Sequence, residues 1–324
     1  MHDNAQQCIV VDCEKQSATL KGKPTAVTMD IKTSNEVLAR GLELVNISIE
    51  RQQRVANKTN VQDFISFYGS HPGVYAVLWE TMQSTELADA RITNPTPQLF
   101  DRYLMTLHYL KAYPLEKHLK RFGCHEQTAR KWIKFFVTKI AALKSALIVW
   151  PSDEEWGNHV FIISHDGVNF GMNEPTHDTL HKDKRYFDRK GGKAGHTYEI
   201  ALHLWENRIV WFNGPFPANS GGDRAIFLNG GLNDAMPKGK KSIADKIYKG
   251  LAKVALHNSL DCEEVRVFKR RARARQEVIN TRMKTFGVLK QRFRHGLARH
   301  DQFVSAVAVI VALQLENGSP LFDL

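Results

Sequence analysis

Three carboxylates in this chain stand where strand and helix ends would project them. Val160-Phe-Ile-Ile-Ser-His-Asp166-Gly167 is an apolar run closed by an acid and a glycine. Lys241-Ser-Ile-Ala-Asp245-Lys-Ile-Tyr248 repeats the shape in miniature, and Glu277 falls in the middle of a basic helical stretch. Acids converging from two strands and a helix suit two Mg²⁺ or Mn²⁺ ions per site, about 4 Å apart, which activate a water or hydroxyl and stabilise the leaving oxygen of a phosphodiester. That chemistry needs no nucleophilic side chain. The charge agrees with a polyanionic substrate: 45 Lys and Arg against 34 Asp and Glu give +11. Between Arg266 and Arg299 there are twelve basic residues and a single acid, Glu277.

Other motifs carry less. His177-Asp-Thr-Leu-His181 imitates a two-histidine zinc helix but follows Pro175 in a turn-rich stretch. Lys190-Gly-Gly-Lys-Ala-Gly195 lacks the Gly-Lys-Ser/Thr of a phosphate-binding loop, and His165 reads as a structural neighbour of Asp166. Four cysteines form no Cys-x-x-Cys pair, which argues against a zinc ribbon or a disulfide-stapled secreted domain. The longest uncharged apolar run near a terminus, residues 303–313, is too short to span a bilayer, so no membrane association is expected.

The elements that must position these acids follow from periodicity. Length favours two units. Residues 1–60 have no assigned role, with possible strands at 26–31 and 42–49. Helical spacing runs through 61–150, and an α/β unit follows over 151–324, with the boundary near Trp150-Pro151. Residues 160–163, 196–204 and 208–212 read as strands, the last two joined at Glu206-Asn207. Residues 240–260, 271–293 and 303–315 read as helices. Within the first unit, 114–137 splits at Gly123 into a helix-turn-helix candidate. Its first helix would bury Leu115, Leu119 and Phe122; its second would bury Ala129, Trp132 and Phe136 and present Gln127, Thr128, Arg130, Lys131 and Lys134 to DNA.

The C-terminal half resembles the DDE transposases of the PIF/Harbinger type and their bacterial insertion-sequence relatives. Arg273, Glu277 and Lys284 keep the spacing Arg-x3-Glu-x6-Lys, and Phe286-Gly-Val-Leu-Lys-Gln-Arg-Phe293 is similar to the family's following segment. Asp166-Gly167 resembles the first Asp motif, Tyr186-Phe-Asp-Arg-Lys-Gly191 the Tyr/Arg-Lys-Gly segment, and Asp245-Lys-Ile-Tyr248 the Asp-x-Gly-Tyr motif with Ile247 in place of Gly. Asp223, closing Asn213-Gly-Pro-Phe-Pro-Ala-Asn-Ser-Gly-Gly-Asp223, resembles the end of the family's Pro-Gly-x-x-x-Asp loop.

The resemblance covers about residues 155–324. It implies an α/β, RNase H-like catalytic domain, a mixed sheet flanked by helices, preceded by an α-helical domain with the helix-turn-helix. It implies a metal-dependent endonuclease and transposase in which Asp166, Asp245 and Glu277 bind two Mg²⁺ or Mn²⁺ ions. Asp223 is the alternative second acid, ranked after Asp245 because the first and fourth strands of such a sheet lie side by side. Arg273, Lys284, Lys290 and Arg292 would hold DNA phosphates. The partners implied are transposon-end DNA, a separate Myb-like DNA-binding protein and further copies of the chain, and the address is the nucleus. The rival expectation is a domesticated, catalytically inactive DNA-binding protein; a third is a nuclease acting on RNA or hybrid duplexes.

Overall fold

The computed structural model describes residues 31–47, 58–84, 90–93, 95–174, 183–189 and 191–324. The helical part opens with α1 (Ile31–Leu44), α2 (Lys58–Tyr68), α3 (Pro72–Ser84), α4 (Ala90–Thr93) and α5 (Pro97–Ala112). Thr96 caps α5 by accepting the Leu99 amide at 3.2 Å, and Pro97 follows at a position where its missing N–H costs nothing. Tyr68 donates its hydroxyl to the Gly41 carbonyl and Tyr103 to that of Tyr75, both at 2.8 Å, so these buried phenols also tie the helices together. A short 3-10 helix, Glu116–Phe122, precedes α6 (Glu126–Ala142) and α7 (Lys144–Leu147).

The strands come next: β1 (Phe161–Gly171), β2 (Phe187–Asp188), β3 (Lys193–His203) and β4 (Ile209–Pro217). After α8 (Gly222–Asn229) and α9 (Leu232–Ala235) come β5 (Lys241–Ile243) and β6 (Val254–Ala255). The chain closes with α10 (Glu263–Lys284), α11 (Gly287–Lys290) and α12 (Leu297–Glu316). Across the sheet the order is β4-β3-β1-β5-β6, with β2 on the outer end of β3. The β4-β3-β1 pairings are antiparallel and the β1-β5-β6 pairings parallel, which makes a mixed sheet flanked by helices.

The antiparallel pair expected around Glu206-Asn207, the closing helix and the helical first half are all present. Other expectations are corrected. Residues 42–44 end a helix rather than start a strand: Val37, Leu38, Leu42 and Val45 bury one face of α1 and its exit. The strand expected at 26–31 lies outside the described residues, apart from Ile31, which begins α1. Residues 240–260 are not a helix. Ile243, Ile247, Leu251 and Val254 recur at helical spacing, but pairing of Ser164 with Ile243 recruits the first as a strand. The helix read at 271–293 starts earlier, with Glu263 and Glu264 favourably placed in its first turn, and stops at Lys284, where Phe286 turns extended and buries its ring.

One core crosses the expected boundary at Trp150-Pro151. Residues 303–315 of α12 are buried without interruption, and this helix packs against α3, α6 and α7 as well as α10 and β4. A single cluster joins Leu104 and Phe136 of the helical part to Val168, Ile200 and Ile279 beside the sheet. A second core, with Trp156, Ile163, Ala201, Phe227 and Tyr248, covers the opposite face under α8. No helix among the described residues is long and apolar enough to cross a membrane.

Candidate active site

Asp166 lies in the middle of β1, not at its end, because the strand runs on to Gly171 paired with β3. On the other flank β5 stops at Ile243, opposite Ser164, so β1 overshoots its parallel neighbour just where Asp166 stands. Alternation sends Ser164 and Asp166 to the α10 face and His165 and Gly167 to the α8 face.

A polar ladder sets α10 on the sheet. Ser164 Oγ donates to Gln276 Oε1 at 3.1 Å, Gln276 Nε2 donates to the Ile200 carbonyl at 3.2 Å, and Asn280 Nδ2 donates to Asp166 Oδ2 at 2.8 Å. Gln276 and Asn280 are one helical turn apart and meet residues two apart on β1, so the two periods coincide over this stretch. Arg275 fixes the same helix farther along, donating to the Leu204 carbonyl at 2.7 Å. Glu277, next to Gln276 in sequence, is exposed on α10.

Asp223 arrives from the other face, in the first turn of α8 after Gly221 and Gly222, both at positive φ. Its carboxylate fills the place that a side chain at Gly167 would take; a methyl group there would collide with it. Burial and the Asp223 carboxylate push the Asp166 carboxyl up to about 6; Glu277 adds to the rise and the Asn280 hydrogen bond opposes it. Asp223 and Glu277 therefore each act electrostatically on Asp166. Asp245 is exposed and uses Oδ1 to accept the Ile247 amide at 2.8 Å, capping a one-turn 3-10 helix.

The donor set fits a hard divalent cation in type: carboxylates, with the buried and otherwise unpartnered Asn280 Oδ1 beside them. Mutual repulsion around Asp166 is also what a cation would relieve. The spacing is open, however. Among the described residues no three His, Cys, Asp or Glu side chains stand close enough together to hold an ion as they are.

Sequence reasoning missed Asn280, Gln276 and Glu199. Glu199 is 1% exposed on β3, opposite Gly167, and accepts Trp211 Nε1 at 3.0 Å. Burial pushes its carboxyl up to about 7, against that hydrogen bond. A buried acid in the alternating run Thr197–Ala201 was a signal available in the sequence. His165 is structural in its surroundings: buried, it lies against Phe227 and Tyr248 with ring centroids 4.7 and 4.5 Å away.

The basic residues fall in two places. Arg273 is half-buried on α10, while Lys284, Lys290 and Arg292 are exposed at and beyond its end. On α6, Gln127, Thr128, Arg130, Lys131 and Lys134 are all exposed while Ala129, Ile133 and Phe136 are buried; Trp132 is only half-buried. Arg130 is salt-bridged to Glu126. The element before α6 departs from expectation: it is 3-10 rather than α, and Leu115 is 43% exposed, though Leu119 and Phe122 are buried. Gly123 does close it at φ 67. Residues 175–182, with the His177 and His181 motif, and residue 190 lie outside the described residues.

Fold and site together define an α/β protein with a mixed sheet whose central strand carries Asp166, a carboxyl influenced by acids on α8 and α10. No family model matches the chain, and no curated protein or solved structure does either.

Proposed function

We propose that this chain is a divalent-metal-dependent DNA endonuclease of the DDE transposase kind on an RNase H-like sheet. The observation that carries the reading is that Asp166 on β1 feels the carboxylates of α8 (Asp223) and α10 (Glu277), with Asp223 packed into the space at the adjoining Gly167. The strand order supports it: three antiparallel strands, then two parallel ones, with a long helix across the sheet bearing the last acid. Asp166, Asp223 and Glu277 would hold Mg²⁺ or Mn²⁺, with Asp245 second to Asp223 because its carboxylate is committed to a cap. When bound, such ions supply the activation of a water and the stabilisation of a leaving oxygen.

The chain's own residues do the rest. Asn280 orients Asp166, and Gln276 holds α10, the helix that bears Glu277, on the sheet. Arg273, Lys284, Lys290 and Arg292 supply phosphate contacts, and Gln127, Thr128, Arg130, Lys131 and Lys134 form a second DNA-contacting face with the turn at Gly123. The open spacing of the acids favours a second reading, a DNA-binding protein that no longer cuts.

Incubation of supercoiled plasmid with the protein in Mg²⁺ or Mn²⁺ separates the two. Metal-dependent nicking is expected from the wild type, reduced at least a hundredfold by Asp166→Asn and by Glu277→Gln, in line with losses above the roughly 10–100-fold seen for residues that merely orient metal ligands. Salt-sensitive DNA binding with no nicking, unchanged in both variants, would support the binding protein instead.

A further inference from the structure

The two places where basic residues gather are joined by residues 285–296, which lie across the exit of α5. Gln291 Nε2 donates to the Ala112 carbonyl at 3.4 Å, and Lys111 Nζ to that of Thr285 at 3.0 Å. The Arg294 amide donates to the Tyr113 hydroxyl at 2.7 Å and its guanidinium to the Pro114 carbonyl at 2.6 Å. On the sheet side the Phe293 amide donates to the Gly171 carbonyl, at the end of β1, at 3.0 Å. Gly287 allows the close approach, since a side chain there would meet the Lys111 carbonyl. This segment is therefore fixed on both sides, and its charge has one sign. From Val278 to His300 the sequence holds six Lys and Arg and no acid to offset them.

Where the segment enters α12 a niche opens beside α6, lined in part by Arg130, Lys134, His295, Arg299 and Gln302. Burial lowers the His295 imidazole, and the charges acting on it are Glu116, Arg299, Arg294 and Arg130, in that order. Guanidiniums from α6, the joining segment and α12 thus act on one ring. Arg294 is turned inward to backbone carbonyls and Arg130 is shared with Glu126. Arg299 and Lys134 are exposed, with no hydrogen bond or salt bridge among the described residues. Glu116, the acid of the niche, is 13% exposed and accepts the Tyr109 hydroxyl at 3.2 Å, so it offsets little at the surface. At the other end of the segment Lys290 and Arg292 are exposed. Burial lowers the Lys111 ammonium and the Lys290 charge lowers it further, which places Lys290 beside the α5 exit. Like charges gathered on one surface draw a polyanion.

We propose that Lys290, Arg292, Arg299, Arg130 and Lys134 form one continuous track for the phosphates of duplex DNA, with Arg299 joining the α6 face to the end of α10. The α6 face is then half of a composite surface that the C-terminal segment completes, not a separable module. A duplex presents a charge about every 1.7 Å along its axis, so a row of cations engages it whatever its sequence. The track rests on the DNA-binding part of the reading above and does not depend on cleavage.

The test follows binding of the full chain to a fluorescent duplex by anisotropy between about 50 and 200 mM salt, where the salt slope counts phosphate contacts. Folding of each variant is checked by circular dichroism. Arg299→Ala and Lys290→Ala are each expected to lower the slope by about 0.9, and the double variant by about twice that. Arg299→Lys is expected to keep the wild-type slope, because a lysine also binds phosphate as a point charge. Lys238 is exposed in the turn before β5, at the end of the sheet where β1 starts, and Lys238→Ala is expected to change nothing. An unchanged slope in Arg299→Ala would overturn the proposal. So would equal losses in Arg299→Ala and Lys238→Ala, which net charge alone would produce. Absence of DNA binding by wild type, or tighter binding to an RNA duplex of the same sequence, would also overturn it. Arg299-dependent binding without plasmid nicking would remove the nuclease reading and leave the track standing; nicking by wild type with an unchanged slope in Arg299→Ala would do the reverse.

Discussion

Asparagine in place of Asp223 is expected to lower metal-dependent nicking at least a hundredfold, while the same change at Asp245 leaves it within a few fold. The two substitutions are matched: each removes one charge and keeps the size and one oxygen. They differ in what the carboxylate does. Asp223 presses into the space at Gly167 and, after burial, is the largest influence raising the Asp166 carboxyl. Losing its charge removes a ligand oxygen from the group around Asp166, an effect above the 10–100-fold of orienting residues. Asp245 accepts the Ile247 amide as a helix cap, and Asn caps as well as Asp does, so Asp245→Asn keeps the turn. Asp245→Ala, which cannot cap, is expected to cost about 1 kcal/mol of stability. Single-turnover nicking rates for the two Asn variants, beside thermal melts of all three, provide the comparison. Equal rate losses at Asp223 and Asp245 would remove the distinction between them, and a loss at Asp245 alone would restore the sequence-based ranking and make it the second ligand.

That ranking shows what the sequence carried and what it did not. Asp166 and Glu277 stood out in the sequence because a strand-forming run ends on the first and a basic stretch centres on the second. The choice between Asp223 and Asp245 was not legible. Asp245 follows a strand of three residues, and how far that strand reaches along β1 depends on pairing that no local pattern records. Asp223 reaches the site through the space at Gly167, a contact between residues 56 apart in the chain. The supporting amides were hidden for the same reason: Gln276 and Asn280 read as polar positions on a basic helix until the sheet beneath supplies Ser164 and Asp166. Periodicity also misplaced residues 240–260, where apolar spacing satisfied a helix but tertiary pairing selected strands. The α12 helix was found correctly. Its role in closing the helical half, rather than the sheet half alone, became apparent only from its packing.

Acid is expected to destabilise this protein by about pH 5, above the range in which ordinary carboxylates are neutralised. Burial lowers His165 and His300 to about 3 and His108, His196 and His203 to about 4, with neighbouring Arg121 adding to His108, His196 to His300, and Arg208 to His203. The unfolded chain takes up these five protons as pH falls through about 6.5, whereas the folded chain refuses them until about 4 or below. Stability is thus fully present above 6.5 and is lost progressively toward pH 4. Asp166 and Glu199 act in the opposite sense, since their raised values let the folded state bind protons first, at about 6 and about 7. Five groups against two leaves a net loss of order 5 kcal/mol by pH 5, a large part of a typical domain's stability. His300 sharpens the effect: its Nδ1 lies 3.2 Å from His196 Nδ1 and 3.1 Å from the Tyr198 hydroxyl, so charging both rings would set like charges against each other inside the core. His165 provides the cleanest control, because neither ring nitrogen has a hydrogen-bond partner to lose. Melts of wild type and His165→Leu between pH 8 and 4 are expected to agree within about 1 kcal/mol at neutral pH, with the variant losing stability less steeply below 6.5 by one proton. Parallel curves through that range would mean that His165 is protonated alike in the folded and unfolded chains.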